Sequence, residues 1–187
     1  MRVARNAGCA ASSVSVGTRW PTGWKKKGDE LPAFETSVAP AQKGDVLEAD
    51  EMWSFVLKKS RKRWIWLVLC RRTRQIVAYA VGGRCRKTCQ LVWSRIPQGC
   101  RYKRCFTDFY EVYCTVVPAR HHRPSGKEEG QTNHIERFNL TLRRRLARLA
   151  RKTLSFSKSE KMHEFFVRWF LTDYNQACLK RLEKNNA

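Results

Sequence analysis

VLEADEMWSFVLKKSRKRWIWLVLCRRTRQIVAYAVG, residues 46–82, decides the fold. Runs rich in β-branched and aromatic residues, 46–57, 64–70 and 75–82, are separated by the short basic stretches KKSRKR and RRTR. Connections this short join antiparallel neighbours, because a parallel return needs a crossover of a dozen or more residues. The middle run, WIWLVLC, is almost continuously apolar, the pattern of a strand covered on both faces. The segment predicts a three-stranded antiparallel meander.

Outward from the meander the pattern changes. Residues 84–96 predict a helix stopped by Pro97 and Gly99. A short strand, KRCFTDF (103–109), follows, then a second, CTVVP (114–118), and a polar loop, ARHHRPSGKEEG (119–130). Ile135, Phe138, Leu142, Leu146 and Leu149 recur at helical spacing, as do Met162, Phe165, Phe166, Trp169 and Phe170. The order β-β-β-α-β-(β)-α-α predicts an α/β fold, a mixed sheet covered by helices, in one domain over 45–187. Residues 1–44 are rich in Ala, Ser, Gly and Pro, carry a KKK run at 25–27 and show no sustained period. They are expected to be poorly ordered or loosely attached, the lysine run a solvated tail.

Charge narrows the function. Thirty-eight Lys and Arg against 16 Asp and Glu give a formal charge of +22 in 187 residues. Such an excess concentrates polyanions at the surface, and nucleic acid is the expected partner, bound in a salt-sensitive way. No apolar run approaches the roughly 18 residues of a spanning helix, and the N-terminus lacks a signal peptide's apolar core. A soluble, cytoplasmic protein without a membrane partner is expected. The eight cysteines are read as free thiols. Cys85/Cys89 and Cys100/Cys105 lack the paired C-x-x-C spacing of a zinc site.

The scarce acids then carry the chemistry. Asp50 lies within the first strand, where Asp is disfavoured. Alternation sets it with Glu48 and Met52, and sets Glu51 with Ala49 and Trp53. Periodicity leaves open which of the two adjacent acids matters. Asp108 ends the strand KRCFTDF, where it suits a turn that bonds the backbone two residues on, and where α/β sheets also hold ligands. Glu136 is the sole acid of GQTNHIERFNLTLRRRLARLARKTLSFSKS, residues 130–159. It fits a capping box opened by Asn133, yet it also shares a helical stripe with Asn139 and Arg143. Were these acids to converge, like charges about 4 Å apart would repel by roughly 4 kcal/mol at an effective dielectric near 20. A cation resolves that, and carboxylates suit Mg²⁺ or Mn²⁺. Two such ions serve phosphodiester transfer. A ribosomal or chromatin-like basic protein would account for the charge but not for these acids.

The stretches LEADEMWSFV, FTDFYEVY and GKEEGQTNHIERFNLTLRRRLARLARKTLSFSKS, with the Phe/Trp-rich helix after them, closely resemble the catalytic part of insertion sequence 1 family transposases, from about Val46 to Gln176. The resemblance implies a ribonuclease H-like fold. It implies an Asp-Asp-Glu triad, Asp50, Asp108 and Glu136, which ligates two Mg²⁺ or Mn²⁺ ions. By the same resemblance Arg143 contacts DNA, and Arg144, Arg148, Arg151 and Lys152 are expected to face phosphates. His134 is expected to contact DNA, shape the site or serve the structure. The implied activity is metal-dependent cleavage and strand transfer at the ends of an insertion sequence, by a homo-oligomer on paired ends. Full-length members carry an N-terminal zinc-binding and helix-turn-helix region, commonly joined by frameshifting. Residues 1–45 show neither paired cysteines nor a helix pair, so the chain is expected to be the catalytic frame alone or a decayed copy. The alternative function is an inactive or truncated remnant that only binds DNA.

Overall fold

The computed structural model describes residues 30–150, 152 and 154–186. The meander forms as its alternation requires: β1 (Val46–Phe55), β2 (Lys62–Cys70) and β3 (Ile76–Gly82) pair antiparallel. Helix α1 (Arg86–Ser94) and the single turn α2 (Gln98–Arg101) return the chain to β4 (Arg104–Thr107), which lies parallel to β1. Helix α3 (Glu111–Val116) leads to β5 (His122–Pro124), parallel to β4, and α4 (Asn133–Arg145) and α5 (Glu160–Asn186) close the chain. The sheet order is β3-β2-β1-β4-β5. An open mixed sheet of three antiparallel strands with parallel additions, flanked by helices, is the ribonuclease H-like arrangement the sequence predicts.

Each face of the sheet has its own core. Leu47, Ala49, Trp66 and Val68 pack with Cys89 and Val92 of α1 and Tyr113 of α3. Met52, Ile65, Leu67 and Leu69 pack with Ile135, Phe138 and Leu142 of α4 and Val167 and Leu171 of α5. β2 is therefore buried on both sides, as its apolar run predicts.

Several expectations fail locally. CTVVP is not a strand: residues 111–116 are helical. Tyr113 and Val117, four apart, bury one stripe in the α1 core, and that packing overrides the β-propensity of the two valines and the threonine of CTVVP. The loop 119–130 contains β5, too short to show a period. Helix α4 ends at Arg145, and Leu149 is buried from a separate 3-10 turn, Ala147–Leu149. In α5 the most deeply buried residues include His163, Val167, Leu171 and Asn175 rather than the aromatic stripe alone. Phe166 and Trp169 are half-buried.

Residues 1–29 of the expected N-terminal segment lie outside the described residues. Residues from Phe34 onward pack on the domain: Phe34 is buried against Tyr79. Gln75 donates to the Ser37 carbonyl (2.8 Å) and accepts from the Ala39 amide (2.9 Å). Asn175 of α5 accepts from the amide of Ile76 and donates to its carbonyl (2.9 and 2.8 Å), satisfying backbone groups at the start of edge strand β3.

Candidate active site

Register builds the site. Glu48 pairs with Phe106 across the parallel β1–β4 ladder, and the same register carried two residues further sets Asp50 beside Asp108. Side-chain alternation turns Glu48, Asp50 and Met52 toward α4, whereas Glu51 shares the face of Leu47 and Ala49. Helix α4 lays its apolar stripe on the sheet and thereby turns the stripe of Glu136, Asn139 and Arg143 into a cleft. This cleft, of about 670 Å³, is lined by Asp50, Glu51, Asp108, Glu136, Asn139 and Arg143, with Arg84, Lys127, Phe109 and Leu140 also in its wall. All three acids of the expected triad, and Arg143, face the same space.

Their environments differ. Asp50 accepts from the Asn139 side-chain amide (2.7 Å) and from the Glu51 backbone N–H (2.8 Å). Burial, with Glu51, Asp108 and Glu136 nearby, pushes its carboxyl up to about 7. No Lys, Arg or His among the described residues forms an ion pair with it. Glu51 is also raised by burial, but it is held by Arg84 (2.6 Å) and by the hydroxyl of buried Tyr113 (2.9 Å). Asp108 accepts from the amide of Tyr110 (3.0 Å), the turn bond expected of it. Glu136 accepts from the Thr132 hydroxyl (2.8 Å).

Among the described residues, one group of three or more His, Cys, Asp or Glu brings ligand atoms within 4.8 Å of one another: Asp50, Glu51 and Asp108. Glu136 stands on the same cleft outside that group. The donors fit a hard divalent cation: they are oxygens, like-charged and partly buried, and the buried Oδ1 of Asn139 has no hydrogen-bond partner. The described cysteines are free thiols and form no such group.

The expected basic residues separate. Arg143 is not free in the cleft: its guanidinium donates to the carbonyls of Trp53 (2.9 Å) and Leu149 (3.1 Å). Arg148 lies 3.9 Å over the Phe166 ring. Arg144 and Lys152 are exposed, and Arg151 lies outside the described residues.

Sequence reasoning missed Glu48. It is fully buried in mid-strand, and its carboxylate accepts from the amides of His134 and Ile135 (3.0 Å each), from His134 Nδ1 (2.6 Å) and from Arg71 Nε (2.6 Å). Thr132, one residue earlier than the predicted Asn133, is the N-cap of α4 and gives the helix no side-chain cap. Glu48 supplies that cap from β1, so Glu136 is released from capping. An acid at a strand position that alternation sends inward was the available signal.

Comparison with known proteins agrees with this frame. A family model described as IS1 transposase matches residues 46–176. The chain is 37% identical to the insertion element iso-IS1n protein InsB of Shigella dysenteriae over 126 residues, 67% of this chain and 93% of that protein. It is 36% identical to the IS1 protein InsB of Shigella flexneri over 66% of this chain and 92% of that protein. Against the IS1 4 protein InsB of Escherichia coli (strain K12) the identity is 36%, over 66% and 72%. The match takes in both strands and the helix that form the cleft, and the chain belongs to the IS1 transposase family.

Proposed function

We propose that this chain is a DDE transposase catalytic domain, with Asp50, Asp108 and Glu136 as its acids, that cleaves element ends and joins them to target DNA. Convergence carries the reading: Asp50, Asp108 and Glu136 line one cleft, and none of the three forms an ion pair among the described residues. Asp50, Asp108 and Glu136 would hold two Mg²⁺ or Mn²⁺ ions, with Glu51 and Asn139 adjacent. Bound there, such ions supply activation of the attacking hydroxyl and neutralise charge at the leaving oxygen.

The protein's own groups do the rest. Asn139 orients Asp50 through the 2.7 Å bond to its carboxylate. Arg84 neutralises Glu51 and so keeps a second charge from accumulating beside Asp50. Arg143 ties β1 to the segment after α4 and thereby holds the cleft wall. Arg144 and Lys152, both exposed, bind DNA phosphates, whereas Arg148 is engaged with the Phe166 ring. The proposal includes a homo-oligomer acting on paired ends.

The test is Mg²⁺- or Mn²⁺-dependent nicking and strand transfer on DNA bearing the element's ends. Asp50→Asn, Asp108→Asn and Glu136→Gln should each lower the rate by on the order of 10²-fold or more while DNA binding persists. Unchanged activity in the Asp108 and Glu136 variants would overturn the triad. Binding by the wild type without cutting, at any metal concentration, would leave a DNA-binding remnant.

A further inference from the structure

We propose that Glu48 is the positioning residue of this site, the buried carboxylate that fixes α4, and with it Glu136, relative to Asp50. The inference rests on the reading of Glu136 as the third acid. Glu48 lies two residues before Asp50 on the same face of β1, a separation of about 6.7 Å along a strand. The two helix amides it caps belong to His134 and Ile135, the residues just before Glu136. One carboxylate thus sets the reference for the acid on the sheet and for the acid on the helix.

The surrounding bonds leave it little freedom. Arg71, in the turn after β2, reaches Glu48 through Nε, and its NH2 donates to the Gln131 side chain (2.8 Å) and carbonyl. The same guanidinium sits 4.5 Å over the Phe106 ring of β4. The loop entering α4, the turn of the meander and the strand that delivers Asp108 are therefore joined at one charge. A carboxylate also suits the positive end of the α4 dipole. Removing it would leave two free helix amides and a part-buried arginine facing an uncharged pocket, a costly exchange. Apolar packing of α4 through Ile135, Phe138 and Leu142 fixes which face meets the sheet. The Glu48 cap fixes the height of the helix along β1.

Glu48→Gln keeps one acceptor, loses the charge and points amide hydrogens at existing donors. Hydrogen exchange on the metal-free 187-residue chain should show amides 133–136 exchanging about tenfold or more faster, with β2 and β3 unchanged. Calorimetric titration with Mn²⁺ should show affinity weakened about 10–100-fold. Nicking should recover as Mn²⁺ is raised, which the Asp50→Asn variant should not do. Arg71→Gln, which leaves the cap in place, should shift exchange and affinity in the same direction by less, and it carries the test if Glu48→Gln does not fold. Wild-type exchange at 133–136 together with wild-type Mn²⁺ affinity in a folded variant overturns the proposal. Exchange is read without metal or DNA, so a wild-type chain that never nicks would defeat the transposase reading and leave this one standing on its own result.

Discussion

At the scale of single residues, Asp50 and Glu51 show how one peptide step separates two roles. Both are acids in the same strand and both are raised by burial. Glu51 has Arg84 and Tyr113 as partners; Asp50 has an amide from Asn139 and no cation. The consequence for stability has a definite sign. Asp50 is pushed to about 7 from an ordinary value of 3.8, so the folded chain retains a proton that the unfolded chain releases across that window. Stability contributed at this position is therefore greatest below 3.8 and is lost as pH rises toward 7. In EDTA, Asp50→Asn should unfold at a higher temperature than wild type at pH 8, because an amide still accepts from Asn139 without carrying a buried charge. The gain should be on the order of 1–4 kcal/mol, at about 1.4 kcal/mol per pKa unit, and should vanish near pH 4. Urea unfolding at both pH values checks this; equal or lower stability at pH 8 would mean that the carboxylate is adequately solvated. The same substitution should remove nicking, so that stability and activity move in opposite directions.

At the scale of elements, legibility followed the length of the pattern. The meander was readable because strands of seven to ten residues repeat their alternation, and α4 because its apolar stripe recurs. Helix α3 and strand β5 were not, having six and three residues and too few turns or pleats to express a period. Of the site, alternation paired Asp50 with Glu48 and helical spacing grouped Glu136, Asn139 and Arg143, but nothing local announced that Glu48 caps α4 from another element. His163 is a second contact of that kind. Buried at the start of α5, its ring meets Ser54 of β1 (3.0 Å) and Ser157 (2.9 Å), next to an isolated bridge between Val56 and Ser157. Burial, then Arg63 and Arg148, lower it to about 4 from 6.5. The unfolded imidazole takes up its proton first, so the stability it contributes is present above 6.5 and is lost as pH falls toward 4, by up to about 3 kcal/mol. His163→Gln should cost stability at pH 7 through the broken serine bridge, and its deficit relative to wild type should shrink at pH 4.5. Urea titrations at the two pH values measure it; a deficit that stays constant would show that the ring is not desolvated.

At the scale of the molecule, a charge of +22 opposes compaction and favours polyanions at the same time. The fold divides that charge between structure and surface. Arg71, Arg72 and Arg84 are engaged with buried or largely buried acids, Glu48, Asp45 and Glu51. Arg143 is bonded to two carbonyls, and Arg148 packs on Phe166. Arg144 and Lys152 stand exposed. This partition predicts different behaviour from residues that look alike in the basic run 143–152. Each phosphate contact released should change the slope of log K against log salt by about 0.9 for duplex DNA. Arg144→Ala and Lys152→Ala should each flatten the slope by about that amount and leave the melting temperature unchanged. Arg148→Ala should lower stability by roughly 0.5–2 kcal/mol through the lost ring contact, and Arg143→Ala should loosen the cleft wall and lower stability as well. Fluorescence anisotropy on a labelled duplex between 50 and 200 mM salt, beside thermal unfolding of each variant, separates the classes. If Arg144→Ala and Lys152→Ala leave the slope unchanged while Arg148→Ala flattens it at full stability, DNA contacts Arg148 beside α5 instead of Arg144 and Lys152.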